Sequence, residues 1–333
     1  RIIMCGLVGY VEFKESAFCS RDSDSAIETL KRRGPDASGK DEFITNHKIG
    51  LGHRRLSILD LSDNGTQPML SFSGRFKIIF NGEIYNHLEL RNYIHQNYNF
   101  NSWKSQSDTE TLLNLFEFEN FKNALKLVEG MFAITLFDLK KNTIFFSRDP
   151  MGEKPLYISF NDKSLLFGSD LDALTTFSSF NKELSLHSLG LFFKHNFIPA
   201  PHSIYKGTYK CPTGKYISIN LNSFLINSIP ESFDDIFSNK GIAIDEYWSS
   251  LDLINEKNIH SISFNEASER LESVLSMSIK KQLISDVPIG AFLSGGIDSS
   301  LITALMQKQV SEDIKTFTIG FSDKGYDESR YAN

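Results

Sequence analysis

The sequence from residue 287 to residue 300 reads VPIGAFLSGGIDSS. An apolar run leads into two adjacent glycines, and the pattern predicts a helix that begins at about Ser299. Glycines let the main chain approach a phosphate group closely, and a helix N-terminus directs its N–H groups at the same point. The stretch therefore predicts a strand, a phosphate-binding turn and a helix, which together open a parallel α/β sheet.

Polar side chains in this turn fit the same interpretation. Ser294, Ser299 and Ser300 offer hydroxyl donors, and Asp298 could assist a magnesium ion on a pyrophosphate group. The turn is not a Walker A loop, because the Gly-Lys-Ser/Thr ending is absent. A plain Gly-Gly turn in a linker is the alternative, and the preceding apolar run argues against it.

The segments on either side extend this unit. Residues 263–283 predict a long amphipathic helix, because apolar residues recur there at helical spacing. Residues 315–321 predict a second buried strand. We therefore expect a separate C-terminal domain over residues 263–333.

The first half of the chain has a different hydrophobic pattern, in which short apolar runs alternate with turns. Alternation predicts strands over residues 77–80, 131–137, 143–147 and 164–167. Helical spacing after an aspartate predicts helices over residues 22–33 and 108–118. A layered α/β architecture follows for residues 5–198. Residues 199–262 hold prolines and a Ser-, Asn- and Asp-rich stretch, and they predict a connector with a surface insertion.

Composition excludes several classes of protein. The 333 residues are 41% hydrophobic with a formal charge of -6, which predicts a globular chain of two domains. No Lys/Arg-rich run predicts a nucleic-acid partner, and no apolar stretch is long enough to cross a bilayer. The three cysteines, Cys5, Cys19 and Cys211, form no CxxC pair, so neither a disulfide framework nor a zinc site is predicted. A reducing, cytoplasmic compartment fits best.

Cys5 follows Met4, which we expect to be the initiator, so that its removal leaves Cys5 as the first residue. A lipoprotein signal is the alternative, but too few residues precede Met4 and the residue before the cysteine is bulky. A terminal cysteine carries its own general base, because its α-amine can accept the thiol proton. The alternative for a lone cysteine is a buried side chain with a packing role only.

Three further segments supply complementary groups: LGHRRLSI at 51–58, NGEIYN at 81–86 and SDTE at 107–110. They offer an arginine fork for a carboxylate, an amide beside a glycine N–H for an oxyanion, and a carboxylate for an ammonium group. Each has a structural alternative: surface charge for Arg54 and Arg55, a hairpin turn for Asn81-Gly82, and a helix N-cap for Asp108. Together the groups match free glutamine and its scissile amide.

Seven segments in this order resemble the class II amidotransferase domain of glutamine-hydrolysing asparagine synthetases, covering residue 4 to about residue 201: CGLVG, RRGPDASG, LGHRRLSI, NGEIYN, SDTE, GMFAITLFD and SRDPMGEKPLY. The resemblance implies an α+β N-terminal-nucleophile αββα sandwich. It implies Cys5 as nucleophile, Asn81 and Gly82 as oxyanion hole, Arg55 as carboxylate ligand, and Glu83 and Asp108 as ligands of the substrate's polar groups. We expect structural roles for residues 33–36 and 148–157.

The segment SGGIDSS resembles the pyrophosphate loop of enzymes that adenylate a substrate, so the second domain would be of the parallel α/β pyrophosphatase type. The resemblance implies ATP with Mg²⁺ as cofactors, the metal resting on Asp298. The implied nucleotide-binding residues are Leu293, Ser294, Gly295, Gly296, Asp298, Ser299, Ser300 and Ile319.

The implied reaction is glutamine-dependent asparagine synthesis, in which ammonia attacks an aspartyl-adenylate made from aspartate and ATP. Glutamine, aspartate and ATP are the expected partners, with a homodimer as the expected assembly. One alternative is amidation of another carboxylate, such as that of a surface sugar. The other is a non-catalytic remnant that binds glutamine or a partner. Because the family's synthetase domain extends further than residue 333, we expect a fragment or an interrupted reading frame.

Overall fold

The computed structural model describes residues 4–226, 228–255, 262–323 and 327–332. The chain divides into two compact units, Arg1–Leu253 and Ile254–Asn333. No helix among the described residues is both long and apolar enough to span a membrane.

The first unit contains two six-stranded antiparallel sheets. Its strands are β1 (Gly6–Glu12), β2 (Ala37–Ile44), β3 (Lys48–Arg55), β4 (Met69–Leu70), β5 (Phe76–Ile84), β6 (Gly130–Asp138), β7 (Thr143–Arg148), β8 (Tyr157–Phe160), β9 (Ser164–Gly168), β10 (Thr208–Lys210), β11 (Lys215–Asn220) and β12 (Ile242–Glu246). Sheet A has the order β10-β8-β9-β1-β3-β2, and sheet B has the order β12-β11-β7-β6-β5-β4.

The α-helices up to residue 255 are α1 (Cys19–Thr29), α2 (His87–Tyr98), α3 (Asp108–Phe118), α4 (Phe121–Leu127), α5 (Leu171–Thr175), α6 (Leu186–His195), α7 (Phe233–Ile236) and α8 (Ser250–Asn255). Three 3₁₀ turns lie at Glu15–Ala17, Leu30–Arg32 and Asp63–Gly65.

The strand period of two sorts side chains into layers. In β1, Leu7 and Val11 belong to the core between the sheets, whereas Val8 and Tyr10 belong to a cluster with side chains of α1 and α5. Side chains of α2, α3 and α4 cluster with the opposite face of sheet B, around Phe80. The four layers form the expected αββα sandwich.

Local patterns located most elements of this unit. The four predicted strands lie within β5, β6, β7 and β9, and the predicted helix at residues 108–118 coincides with α3. The helix predicted over residues 22–33 begins three residues earlier, at Cys19, and gives way to a 3₁₀ turn at Leu30.

Residues 199–262 were predicted to be a connector, but much of this range belongs to the two sheets. Strand β10 pairs with β8, while β11 lies between β7 and β12, so residues 208–246 widen both sheets. Ile217, Ile219 and Ile242 are buried in the core between the sheets, which gives these strands a hydrophobic reason to pair. Strands β11 and β12 are short, expose one face and flank a polar stretch. The sequence pattern therefore did not predict them as strands.

The second unit contains α9 (Phe264–Gln282), β13 (Gly290–Phe292), α10 (Ile297–Gln309), β14 (Lys315–Phe317) and α11 (Ser329–Ala332). Strands β13 and β14 pair in parallel, with Ala291 opposite Thr316, so the expected parallel α/β unit is present. Its core holds Ile279, Ala291, Leu305 and Met306. Helix α9 matches the predicted helix, with Ser263 as its N-cap and Leu283 as its C-cap.

The prediction of a second buried strand over residues 315–321 was wrong. Strand β14 ends at Phe317, whose side chain is 54% exposed, and Ile319 is 66% exposed. Among the described residues this sheet has two strands, and the small core of the unit includes Ala291 but no residue of β14. An apolar sequence alone does not provide the layers that bury both faces of a parallel strand.

Candidate active site

One end of the layer between the two sheets gathers the predicted residues of the front half. Cys5 immediately precedes β1, and Arg55 ends β3, which is the antiparallel neighbour of β1. Because side chains alternate along a strand, Arg55 shares the inter-sheet face with Ile49 and Leu51. On β5 the same alternation puts Asn81 and Glu83 on the face that carries Ile79.

These side chains line a pocket of about 160 Å³. This is smaller than the roughly 300–1,000 Å³ of typical small-molecule sites, so it suits a ligand of amino-acid size. The pocket is lined by Met4, Cys5, Arg55, Leu56, Ile58, Leu59, Gln67, Phe80, Asn81, Gly82, Glu83, Ser107, Asp108, Thr109, Met131 and Lys154. All six residues expected to handle glutamine are therefore brought together.

The Cys5 thiol is held against the end of β3. The Leu56 N–H donates to Sγ over 3.3 Å, and the Arg33 Nε donates to the Cys5 carbonyl oxygen over 3.2 Å. Desolvation by the surrounding protein raises the thiol pKa to about 11, the Leu56 N–H opposes this, and the charge of Asp108 adds to it. At neutral pH the sulfur is therefore protonated, and its use as a nucleophile requires a base.

Arg55 is buried rather than part of a charged surface. Its Nη1 donates to the Ser62 carbonyl oxygen over 2.7 Å, and its Nη2 donates to the carbonyl oxygens of Leu59 and Asp60. Main-chain acceptors thus occupy three of the five N–H donors, and the described residues supply no acceptor for the other two, which leaves these for a ligand. Arg54 points elsewhere, since its guanidinium pairs with Glu28.

Asn81 and Gly82 lie inside β5 and do not form a hairpin turn. The Phe80 N–H donates to Gln67 Oε1 over 2.6 Å, and the Ile84 N–H donates to Asp108 Oδ2 over 2.9 Å. Amides two residues apart point to the same edge of a strand, so the Gly82 N–H lies between these two and faces the pocket. The Asn81 Nδ2 is 3.5 Å from Ser169 Oγ on the inter-sheet side.

Asp108 is the first residue of α3, while Ser107 is its N-cap and accepts from the Thr109 N–H over 3.1 Å. Burial raises the pKa of the Asp108 carboxyl to about 6, and hydrogen bonds from Ile84 and Thr109 oppose this. Burial also raises the pKa of Glu83, with a further contribution from Asp108. Two carboxyl groups with raised pKa values facing one pocket form a site suited to a cationic group.

Gln67 and Lys154 are polar lining residues to which the sequence analysis gave no role in the site. Gln67 braces the wall, because it accepts from the Phe80 N–H and donates to Thr109 Oγ1 over 3.2 Å. Lys154 belongs to residues 148–157, for which only structural roles were expected, yet it lines the pocket. A lysine within a buried turn was the available signal, since lysine is seldom buried without a partner.

In the second unit the predicted phosphate loop joins β13 to α10. Gly295 has a φ of +80°, and a Cβ there would lie 2.4 Å from the main chain of Tyr331, so glycine is required. The Ser294 and Ser299 hydroxyls are 3.0 Å apart, and Gly296 caps α10 without a side-chain hydrogen bond. The first turn of α10 therefore keeps N–H groups for an anion.

The remaining residues predicted to bind the nucleotide lie around this loop. The Leu293 N–H donates to the carbonyl oxygen of Phe317, the last residue of β14, over 2.9 Å. Ile319 follows Phe317 by two residues, so both predicted residues are near this end of the strand. Asp298 is exposed in the first turn of α10. Among the described residues no three His, Cys, Asp or Glu side chains cluster as a metal site. A magnesium ion held by one carboxylate and phosphate oxygens fits this arrangement.

Comparison with family models gives two matches. The glutamine amidotransferase domain family matches residues 4–228, and the asparagine synthase family matches residues 270–333. The first match contains every residue of the pocket, and the second contains the phosphate loop.

Curated relatives match nearly the whole chain. A putative glutamine-hydrolysing asparagine synthetase 2 of Methanocaldococcus jannaschii is 34% identical over 98% of this chain and 62% of its own length. The glutamine-hydrolysing asparagine synthetase 3 of Bacillus subtilis is 30% identical over 98% of this chain and 50% of its own length. This chain thus spans half to just under two thirds of these relatives.

A solved structure supports the fold. The chain matches the glutamine phosphoribosylpyrophosphate amidotransferase of B. subtilis, complexed with ADP and GMP, with a TM-score of 0.50 and 14% identity. The match covers 94% of this chain and 65% of that one. At this identity the likeness concerns architecture, and it agrees with the two antiparallel sheets of the first unit.

Proposed function

Because this chain belongs to the glutamine amidotransferase family and carries an asparagine synthase segment, we propose that the protein takes ammonia from glutamine for the ATP-dependent synthesis of asparagine. The observation that supports this most directly is the single pocket that holds Cys5, Arg55, Gly82 and Asp108. It offers a nucleophile, a cationic fork, an amide donor and a carboxylate to one small ligand. Free glutamine carries the complementary groups.

Glutamine binds with its α-carboxylate on Arg55 and its α-ammonium near Asp108 and Glu83. Arginine suits the first contact, because its planar fork can bind both oxygens of a carboxylate. The side-chain amide then points to Cys5, where the Gly82 N–H and the Asn81 amide can donate to its oxygen. Donors fixed on a strand need little rearrangement when negative charge develops on that oxygen.

The hydrolysis begins on a chain whose first residue is Cys5. The thiol proton passes to the α-nitrogen, and the sulfur forms a bond to the amide carbon of glutamine. The C–N bond of the glutamine amide then breaks. The α-ammonium group of Cys5 returns the proton to the leaving nitrogen, and ammonia departs. Water hydrolyses the thioester to glutamate and restores the thiol.

The second unit provides part of the site for the other half-reaction. The loop from Ser294 to Ser300 binds the phosphates of ATP, and Leu293 and Ile319 contact the nucleotide. Magnesium, held by Asp298 and phosphate oxygens, would neutralise charge on the released pyrophosphate. Ammonia from the first unit attacks the aspartyl-adenylate, which gives asparagine and AMP.

Two other functions are separated by the substrates they require. An enzyme that amidates another carboxylate would release glutamate in the same way but would not need aspartate. A non-catalytic remnant would bind glutamine without releasing glutamate. The intact pocket around Cys5 favours catalysis over the remnant.

The proposal is tested with protein that begins at Cys5 and with glutamine labelled with ¹⁵N in its amide. We expect glutamate and labelled ammonia in equal amounts. In protein that carries the full length of the relatives, aspartate and ATP should convert the label into asparagine. Glutamine binding without glutamate release would contradict the proposed hydrolysis, and label transfer without aspartate would contradict the proposed acceptor.

The affinity for glutamine should depend on the ionisation of Asp108. A carboxylate attracts the α-ammonium group, and the raised pKa of about 6 means that protonation removes this attraction just below neutral pH. We expect the dissociation constant to rise by about tenfold for each pH unit below this value. Calorimetry on the Cys5→Ala variant isolates binding from turnover. Asp108→Asn should make the dissociation constant independent of pH in this range. If the pH dependence persists in Asp108→Asn and disappears in Glu83→Gln, the role belongs to Glu83 instead.

A further inference from the structure

Lys154 is a buried cation with an unusual environment. Its side chain lines the pocket and the residue is 8% exposed. Its Nζ lies 3.3 Å from Met4 Sδ, and among the described residues no carboxylate oxygen lies within ion-pair distance of it. Buried lysines are normally paired, because an isolated charge is costly to desolvate. An ammonium group that contacts a thioether in a reactive pocket therefore calls for a functional explanation.

The turn that carries Lys154 is rigidly fixed. Both oxygens of the Asp149 carboxylate are engaged there, since Oδ1 accepts from the Glu153 N–H over 2.8 Å and Oδ2 accepts from the Lys154 N–H over 3.0 Å. Oδ2 also accepts from the Phe132 N–H on β6 over 3.2 Å. Arg148 Nε donates to the Lys154 carbonyl oxygen over 2.7 Å. The ammonium group is thus presented from a braced position rather than from a loose loop.

Two observations place the Lys154 charge near the nucleophile. Its Nζ contacts the side chain of Met4, which is bonded to the nitrogen of Cys5, and its charge lowers the pKa of the Cys5 thiol. Removal of Met4 turns that nitrogen into an α-amine next to this charge. A cation close to an amine disfavours a second positive charge there. We propose that the Lys154 ammonium group keeps the α-amine of the mature Cys5 uncharged, so that this amine can accept the thiol proton.

Charged groups of both signs surround Cys5 besides Lys154. They come from five parts of the fold: Arg33 after the Leu30–Arg32 turn, Arg55 on β3, Glu83 on β5, Asp108 on α3, and Asp149 and Glu153 in the turn itself. The carboxylates favour a charged amine. Arg55 is held by main-chain carbonyl oxygens. Arg33 donates to the Cys5 carbonyl oxygen and lies 4.0 Å from Asp170.

This role rests on the proposed function, because it requires Cys5 to begin the mature chain. It differs from binding glutamine, since no contact with the substrate is needed. Lys154 also differs from a proton carrier, because it neither gives nor takes the transferred proton. The proton still moves from the thiol to the α-nitrogen and then to the leaving ammonia.

The test measures the α-amine directly in the Cys5→Ala background, where no thiol titrates beside it. In protein that begins at residue 5, the rate at which acetic anhydride acetylates the α-amine is followed against pH by mass spectrometry of the N-terminal peptide. We expect Lys154→Met to raise the pKa of this amine by about one unit, and Lys154→Arg to leave it in place. Lys154→Gln is a second neutral variant should the methionine variant fail to fold.

The same shift should appear in catalysis. With Cys5 restored, the acidic limb of kcat/KM for glutamine should move to higher pH by about one unit in Lys154→Met and return in Lys154→Arg. An amine pKa that is equal with and without the lysine overturns the inference. So does an unchanged amine pKa with a less reactive thiol, which would mean that Lys154 acts on the sulfur. Absence of glutamine turnover in the unsubstituted protein would instead reject the proposed function.

Discussion

Cys5→Ala is expected to abolish glutamine hydrolysis in protein that begins at residue 5. In the proposed mechanism the thiol is the nucleophile, and it lines the same pocket as Asn81 and Gly82. Removal of a catalytic nucleophile costs about 10⁶-fold in a well-studied protease, so we expect a loss of at least about 10⁴-fold in kcat. Glutamate release, followed with purified protein over hours, measures it.

The matched control is Cys19→Ser. Cys19 is buried at the start of α1, and its Sγ lies 3.8 Å from the Ala17 carbonyl oxygen and 3.6 Å from Ser179 Oγ. Cys19 does not line the pocket, so activity should be retained. Glutamine should still bind to Cys5→Ala. Residual hydrolysis within about tenfold of the unsubstituted protein would mean that another group attacks the amide.

Arg55→Lys is expected to weaken glutamine binding strongly although the charge is kept. Lysine cannot bind both carboxylate oxygens as a planar fork, and its one nitrogen cannot replace Nη1 and Nη2, which bond different carbonyl oxygens. Loss of a charged hydrogen bond costs about 2–3 kcal/mol, which corresponds to roughly 30- to 150-fold in KM. Arg54→Lys is the neighbouring control, because Arg54 points to Glu28. An unchanged KM in Arg55→Lys would assign the carboxylate to another residue.

A second variant tests the same contact without touching the arginine. Gly65 packs on the guanidinium so closely that a Cβ would lie 2.0 Å from Arg55 Nη2. Gly65→Ala should therefore displace the fork and raise KM for glutamine while leaving the net charge intact. Gly190→Ala is the control, since no described atom beyond its own helix lies within 4 Å of a Cβ there. Equal KM values for the two variants would show that the guanidinium position does not govern binding.

The choice between functional and structural interpretations of single residues depended on tertiary contacts. The sequence offers two adjacent arginines, and the register of β3 with β1 sends Arg55 into the pocket and Arg54 to Glu28. Asn81-Gly82 is a favoured turn by composition, yet pairing with β6 extends β5 through it. Ser107 takes the N-cap and leaves the Asp108 carboxylate to the Ile84 amide and the pocket.

Periodicity was enough to predict a layered α/β architecture, the helix at 108–118 and the parallel unit after residue 263. Motif order carried the resemblance, which implies the αββα sandwich and singles out Cys5. These features are encoded locally, because a period of two or of 3.6 and a glycine pair act over a few residues. The meeting of Cys5, Arg55, Gly82 and Asp108, the place of Lys154 among them and the exposure of β14 were decided by the tertiary structure alone. Register between distant strands and the burial of a charge depend on which layers cover a residue, and no local pattern contains that information.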